Sequence, residues 1–82
     1  MTEKELTIWH GKLIRELRIK KGLTQHELAA KCGKSKQWGH SLEAGIISVS
    51  IYTAMQLSIA LGVRPGIFLP SKSIFLGQEE SQ

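Results

Sequence analysis

Apolar residues in this chain recur at helical spacing, and each of the first four apolar runs ends at a glycine. In the first run Leu13, Ile14 and Leu17 point inward, while Arg15, Glu16 and Lys20 point outward. Thr2 with Glu5, or alternatively Thr7, can cap its start, and Lys20, Lys21 and Gly22 stop it. The second run opens on Thr24 and Glu27, the S/T-x-x-E capping box, and carries Leu28, Ala29 and Cys32 on one stripe. It spans about 24–32, and Gly33 ends it by accepting a left-handed backbone. Ser35 caps a third helix of about 35–44, which Gly45 closes. Ser50 caps a fourth of about 51–61, ending at Gly62. Its expected core face is Ile51, Ala54, Leu57, Ser58 and Leu61, yet Tyr52, Met55 and Ile59 make it apolar most of the way round. Pro65 suits the first turn of a short fifth helix to about Leu69, and Pro70 stops it. The pattern predicts an all-α, compact five-helix bundle. It forms one domain over 1–82, with a core of about 7–70 and a short C-terminal tail.

The second and third helices, joined by a short glycine turn, make a helix-turn-helix, a unit whose second helix can enter the DNA major groove. On a wheel of that second helix Lys36, Gln37, His40, Ser41 and Ala44 share one side. Leu42 lies opposite, with Ser35, Trp38 and Gly39 around it.

Charge adds to this picture. The net charge is +4 and the pI about 9.5, but the cations are concentrated. Lys12, Arg15, Arg18, Lys20, Lys21, Lys31, Lys34 and Lys36 share a segment with only Glu16 and Glu27, a local excess of six. Such a block over a helix-turn-helix is the footprint expected for phosphate, although a solvated charged face has the same composition. Double-stranded DNA is the expected partner. A transmembrane span is not expected, because no apolar run approaches the roughly 20 residues a bilayer requires. The polar start shows no signal peptide, and a single cysteine fits a reducing cytoplasm. Cys32 reads as a core residue, and His10, His26 and His40 lack metal-ligand spacing with it, so neither metal nor cofactor is expected. No paired carboxylates, nucleophile with its base, or phosphate loop suggests an enzyme.

From Leu17 to Leu61 the chain resembles the phage repressor and Cro-like helix-turn-helix regulators, the XRE family. The landmarks are Leu17-Arg18, Gly22-Leu23-Thr24-Gln25, Glu27-Leu28-Ala29, Gly33, Ser35, Leu42-Glu43 with Gly45, and Ala60-Leu61-Gly62-Val63. The resemblance implies a lambda repressor-like domain of five helices, sequence-specific DNA binding and a homodimer. It implies DNA contacts from Gln25, Lys36, Gln37 and Ser41, and with His40 on the same side of the wheel and Ser35 at the start of the helix the expected DNA-binding set is Gln25, Ser35, Lys36, Gln37, His40 and Ser41. In it Gln25 meets the phosphate backbone, and Lys36, Gln37 and Ser41 read base edges. It also implies a structural salt bridge between Arg18 and Glu43. The roles it leaves open are phage-type repressor, restriction-modification controller and antitoxin-like autorepressor, with a toxin or polymerase as possible protein partners.

Three positions depart from the family pattern. Lys34 stands where an apolar residue is usual, Gly39 where a branched apolar residue is usual, and Val49 where proline is usual. Glycine inside a helix costs about 1 kcal/mol relative to alanine. The expectation is that the Trp38 indole fills the space beside Gly39, while Gly39 lets a neighbouring helix approach. The alternative leaves Trp38 exposed, against the DNA backbone or a partner. These departures also support a second function, a protein-interaction module that keeps the fold without specific DNA reading. The surplus apolar residues Met55, Ile59, Ile46, Ile47, Phe68 and Ile74–Leu76 are expected on the dimer surface, unless the C-terminal segment folds back onto the fourth helix.

Overall fold

The computed structural model describes residues 1–70, as four α-helices and one turn of 3-10 helix. Helix α1 is Glu3–Lys21, α2 is Gln25–Lys31, α3 is Lys36–Glu43 and α4 is Ile51–Leu61. The all-α class therefore holds among the described residues, but the fifth helix does not. Pro65–Phe68 forms a four-residue 3-10 turn without a side-chain cap. Two prolines, Pro65 and Pro70, confine it to less than two α-helical turns, and Gly66 adds a residue that resists helix.

Thr2, and not Thr7, starts α1. The Thr2 hydroxyl accepts from the Glu5 N–H at 3.1 Å, and the Thr2 N–H donates to Glu5 Oε1 at 2.8 Å. Thr7 lies buried inside the helix, its hydroxyl donating to the Glu3 carbonyl at 3.0 Å. Thr24 and Glu27 repeat the box on α2, at 3.0 and 2.8 Å. Hydrogen bonds from the Thr2 and Thr24 backbone N–H groups, and then from their hydroxyls, hold the Glu5 and Glu27 carboxyls below the usual carboxylate range.

One core joins every element. It contains Ile14 of α1, Leu28 of α2 with Cys32 at its end, Leu42 of α3, Leu57 and Leu61 of α4, and Phe68 of the 3-10 turn. Leu13 and Leu17 pack against its edge. Burial pushes the Cys32 thiol up, away from the reactive thiolate.

Two core expectations are corrected. Ile51 is 86% exposed. Helix α4 is apolar nearly all round, so periodicity alone leaves its inward direction loosely defined. Leu57, Ser58 and Leu61 set that direction, and Ile51 falls at the rim, on the wall of an open groove. Phe68 is not a surplus surface residue but a core one, 3% exposed. Its carbonyl sits 2.6 Å from His10 Nε2, and its ring meets the imidazole edge-on at 6.1 Å between centroids. With the carbonyl as acceptor, Nε2 carries the proton.

Candidate nucleic-acid interface

Helices α2 and α3 form the helix-turn-helix. Lys34 N–H bonds back to the Ala29 carbonyl at 2.9 Å, and Gly33, at φ +69°, takes the left-handed conformation that reverses the chain. Ser35 then caps α3, its hydroxyl accepting from the Trp38 N–H at 3.1 Å.

Two glycines seat α3. A Cβ on Gly39 would lie 3.0 Å from the Gln25 carbonyl oxygen and 3.2 Å from Ala29 Cβ, so α2 runs directly against it. A Cβ on Gly11 would lie 2.7 Å from the Glu43 carbonyl oxygen and 2.9 Å from that of Leu42, so α1 touches the backbone of α3. Gly39 thus admits a neighbouring helix, as expected. The expected cavity beside it does not exist, because α2 itself occupies that space. Trp38 therefore fills no gap. It is half-buried against the core edge. Its outer side lies under Lys34, whose Nζ is 6.0 Å from the ring centroid, at the limit of cation–π range. Lys34 and Trp38 are thus one compensated pair.

Arg18 and Glu43 form the structural ion pair. Arg18 Nε donates to Glu43 Oε2 at 2.6 Å and Nη2 to Oε1 at 3.1 Å. Arg18 Nη1 adds a bond to the Leu23 carbonyl at 2.8 Å. The side chains are 12% and 4% exposed, so the fork is largely desolvated and clamps α1 to α3. Gln25 Nε2 also donates to Glu43 Oε1 at 3.1 Å, which ties the start of α2 into the same network.

Of the expected contact residues, Ser35, Lys36, Gln37 and His40 are exposed, and Gln25 and Ser41 are partly buried. Lys36, Gln37, His40 and Ser41 come together on the side of α3 away from Leu42 and Gly39. Gln25 stands on the neighbouring helix, at the first position of α2, where backbone N–H groups have no intrahelical acceptor. Arg18 is consumed by Glu43, whereas Lys12, Arg15, Lys20, Lys21, Lys31, Lys34 and Lys36 are exposed. Sequence reasoning missed Gly11 and the Gln25–Glu43 bond. An interior helix glycine, costly by propensity, was the available signal for the first.

A family model described as Helix-turn-helix matches residues 14–68, most of the described domain. The chain belongs to the helix-turn-helix family. Members of this family are DNA-binding transcription regulators, and that class is the chain's own. An uncharacterized HTH-type transcriptional regulator, y4dJ of Sinorhizobium fredii, is 43% identical over 53 residues, which are 65% of this chain and 69% of the relative. The restriction-modification controller protein C.AhdI from Aeromonas hydrophila superposes with a TM-score of 0.77 at 29% identity, covering 84% of this chain and 100% of the controller. The hypothetical transcription factor NHTF from Neisseria shares the fold, with a TM-score of 0.75 at 24% identity, over 95% of this chain and 90% of its own. Among the described residues no helix is long and apolar enough to cross a membrane.

Proposed function

We propose that the chain binds operator DNA sequence-specifically as a homodimer, with α3 in the major groove. The observation that carries this reading is the division of α3 into two sides. Its inner side is fixed by Gly11, Gly39, Leu42 and the Arg18–Glu43 fork, and its outer side presents Lys36, Gln37, His40 and Ser41. A rigid seat is what base reading requires, because a bidentate contact tolerates little displacement. Lys36 donates to guanine O6 and N7, and Gln37 pairs with adenine N6 and N7. Gln25 and the free N–H groups of α2 meet a phosphate. Ser35 and His40 flank the contact.

The dimer uses the outward face of α4. Tyr52 is 72% and Ile59 81% exposed, seven residues apart and so on one face of α4. Exposed apolar clusters of this kind mark interfaces, and a two-fold dimer reads half-sites about one helical turn apart. The match to C.AhdI favours a restriction-modification controller over a phage-type repressor or an antitoxin. The protein-interaction alternative rested on Lys34 and Gly39, and both have packing accounts that leave the outer side of α3 intact.

A competition titration tests specificity. Selected operator DNA and random duplex are compared across salt. The expected result is a preference of roughly 10³-fold or more for the operator at physiological salt, on top of a steep common salt slope. Equal affinity for both duplexes refutes sequence-specific reading. Sedimentation showing a monomer at high concentration, with full operator binding, refutes the dimer.

A further inference from the structure

We propose that Lys34 is a further contact to the DNA backbone, and that Trp38 is the residue that positions it. The inference rests on the reading that places α3 in the major groove. Of the three departures from the family pattern, Lys34 is the one that adds a charge.

Both ends of Lys34 are held. Its backbone N–H donates to the Ala29 carbonyl at 2.9 Å, and the left-handed Gly33 fixes the turn just before it. Its Nζ stands 6.0 Å from the centroid of the Trp38 ring, four residues further along. Trp38 is itself fixed, half-buried against the core edge, with its N–H donating to the Ser35 hydroxyl at 3.1 Å. Among the described residues the one ion pair is Arg18–Glu43, so no carboxylate there neutralises Lys34. The ammonium is an exposed charge with a preferred direction. Holding it over an indole restricts rotamer freedom that a phosphate contact would otherwise have to remove.

The direction follows from helical geometry. At 3.6 residues per turn, Trp38 and Gly39 flank the Leu42 direction on opposite sides. Helix α2 takes the Gly39 flank, where the Gln25 carbonyl oxygen would lie 3.0 Å from an added Cβ. The Lys34 ammonium takes the Trp38 flank. The major groove is about 12 Å wide, and a helix with its side chains is about 10–12 Å across. A helix lying in the groove therefore has a phosphate strand on each side. Gln25, at the start of α2, meets one strand, and Lys34 meets the other. Phosphate contacts fix register and orientation without reading sequence. A contact from the turn before α3 pins the start of that helix, where Lys36 and Gln37 stand.

The test is the salt dependence of affinity, measured on operator and random duplex for the native chain and a set of variants. Lys34→Ala should lose about 0.9 from the slope of log affinity against log salt, and bind both duplexes roughly fivefold more weakly at about 0.15 M salt. Lys34→Arg should keep the native slope, because guanidinium also stacks on an aromatic face. Lys21→Ala removes the same charge from the end of α1, where Nζ lies 3.2 Å from the place a Cβ on Gly62 would take, and should also keep the native slope. Trp38→Leu should weaken binding to both duplexes, whereas Trp38→Phe, which keeps a ring beneath the ammonium, should not. Both are assayed where circular dichroism shows them folded, and in the Lys34→Ala background Trp38→Leu should add no further loss. Lys34 is exposed, so its variants test the contact even where Trp38→Leu does not fold. An unchanged slope in Lys34→Ala, or an equal drop in Lys21→Ala, overturns the phosphate contact. Equal binding by Trp38→Leu and Trp38→Phe, or full additivity with Lys34→Ala, overturns the positioning role. A native chain that binds no duplex overturns this inference together with the reading beneath it. Equal native affinity for operator and random duplex refutes sequence-specific reading alone, and the slopes then decide the Lys34 contact.

Discussion

Replacing Gly11 by alanine tests how tightly α3 is seated. The new Cβ would sit 2.7 Å from the Glu43 carbonyl oxygen, 2.9 Å from that of Leu42 and 3.1 Å from the Glu43 carbonyl carbon. Close carbon–oxygen contacts in proteins ordinarily run about 3.3–3.6 Å. Helices α1 and α3 must therefore separate by about half an ångström or more. All three clashing atoms belong to backbone, so no flexible side chain can swing aside. Overpacking of this kind costs about 1–3 kcal/mol, here toward the upper end. Alanine recovers about 1 kcal/mol of helix propensity, which leaves a net loss of about 1–2 kcal/mol. With a urea slope near 1 kcal/mol/M for so small a protein, the midpoint falls by roughly 1–2 M. Urea denaturation followed by circular dichroism measures it. Gly66→Ala is the control, because a Cβ there meets nothing within 4 Å, and its effect should stay within about 0.5 kcal/mol. A midpoint unchanged or raised in Gly11→Ala would refute the close approach of α1 to α3.

Three further outcomes follow from the same packing. Glu43→Ala leaves Arg18 largely buried without its partner and frees Gln25 Nε2, so stability should fall by roughly 3 kcal/mol; an unchanged melting temperature contradicts the fork's role. Glu5 and Glu27 have lowered folded pKa values, so their stabilisation is complete above the ordinary carboxylate value near 4.3 and fades as pH drops through the lower folded value. Melting temperature should accordingly decline below about pH 4.3, and Glu27→Gln should flatten that decline. With Trp9 replaced by Phe, Trp38 emission should lie between buried and solvated extremes and shift red on unfolding, whereas a fully solvated spectrum in the folded protein contradicts its packing on the core edge.

What the sequence made legible was local. The two threonine capping boxes, the glycine stops and the four helical runs are written within three or four residues of each position they control. The Arg18–Glu43 pair and the outer side of α3 followed from family resemblance and helical period. The misses depend on long-range packing. Phe68 is internal because His10, 58 residues away, holds its carbonyl. Ile51 is outside because an all-round apolar helix does not declare its inward direction. Gly39 looked like a missing side chain, and only the placement of Gln25 and Ala29 shows the space to be full. The Ile74–Leu76 part of the expected dimer surface lies outside the described residues.

The most direct test of the central claim is selection of binding sites from a random duplex pool, run in parallel on the native chain and on Lys36→Ala and Gln37→Ala. The native chain should enrich a two-fold symmetric motif with half-sites about one helical turn apart. Each variant should remain folded and lose preference at its own base position, by about 1–3 kcal/mol of discrimination. Recovery of no motif, or of the same motif at undiminished strength from both variants, would contradict base reading by the outer side of α3.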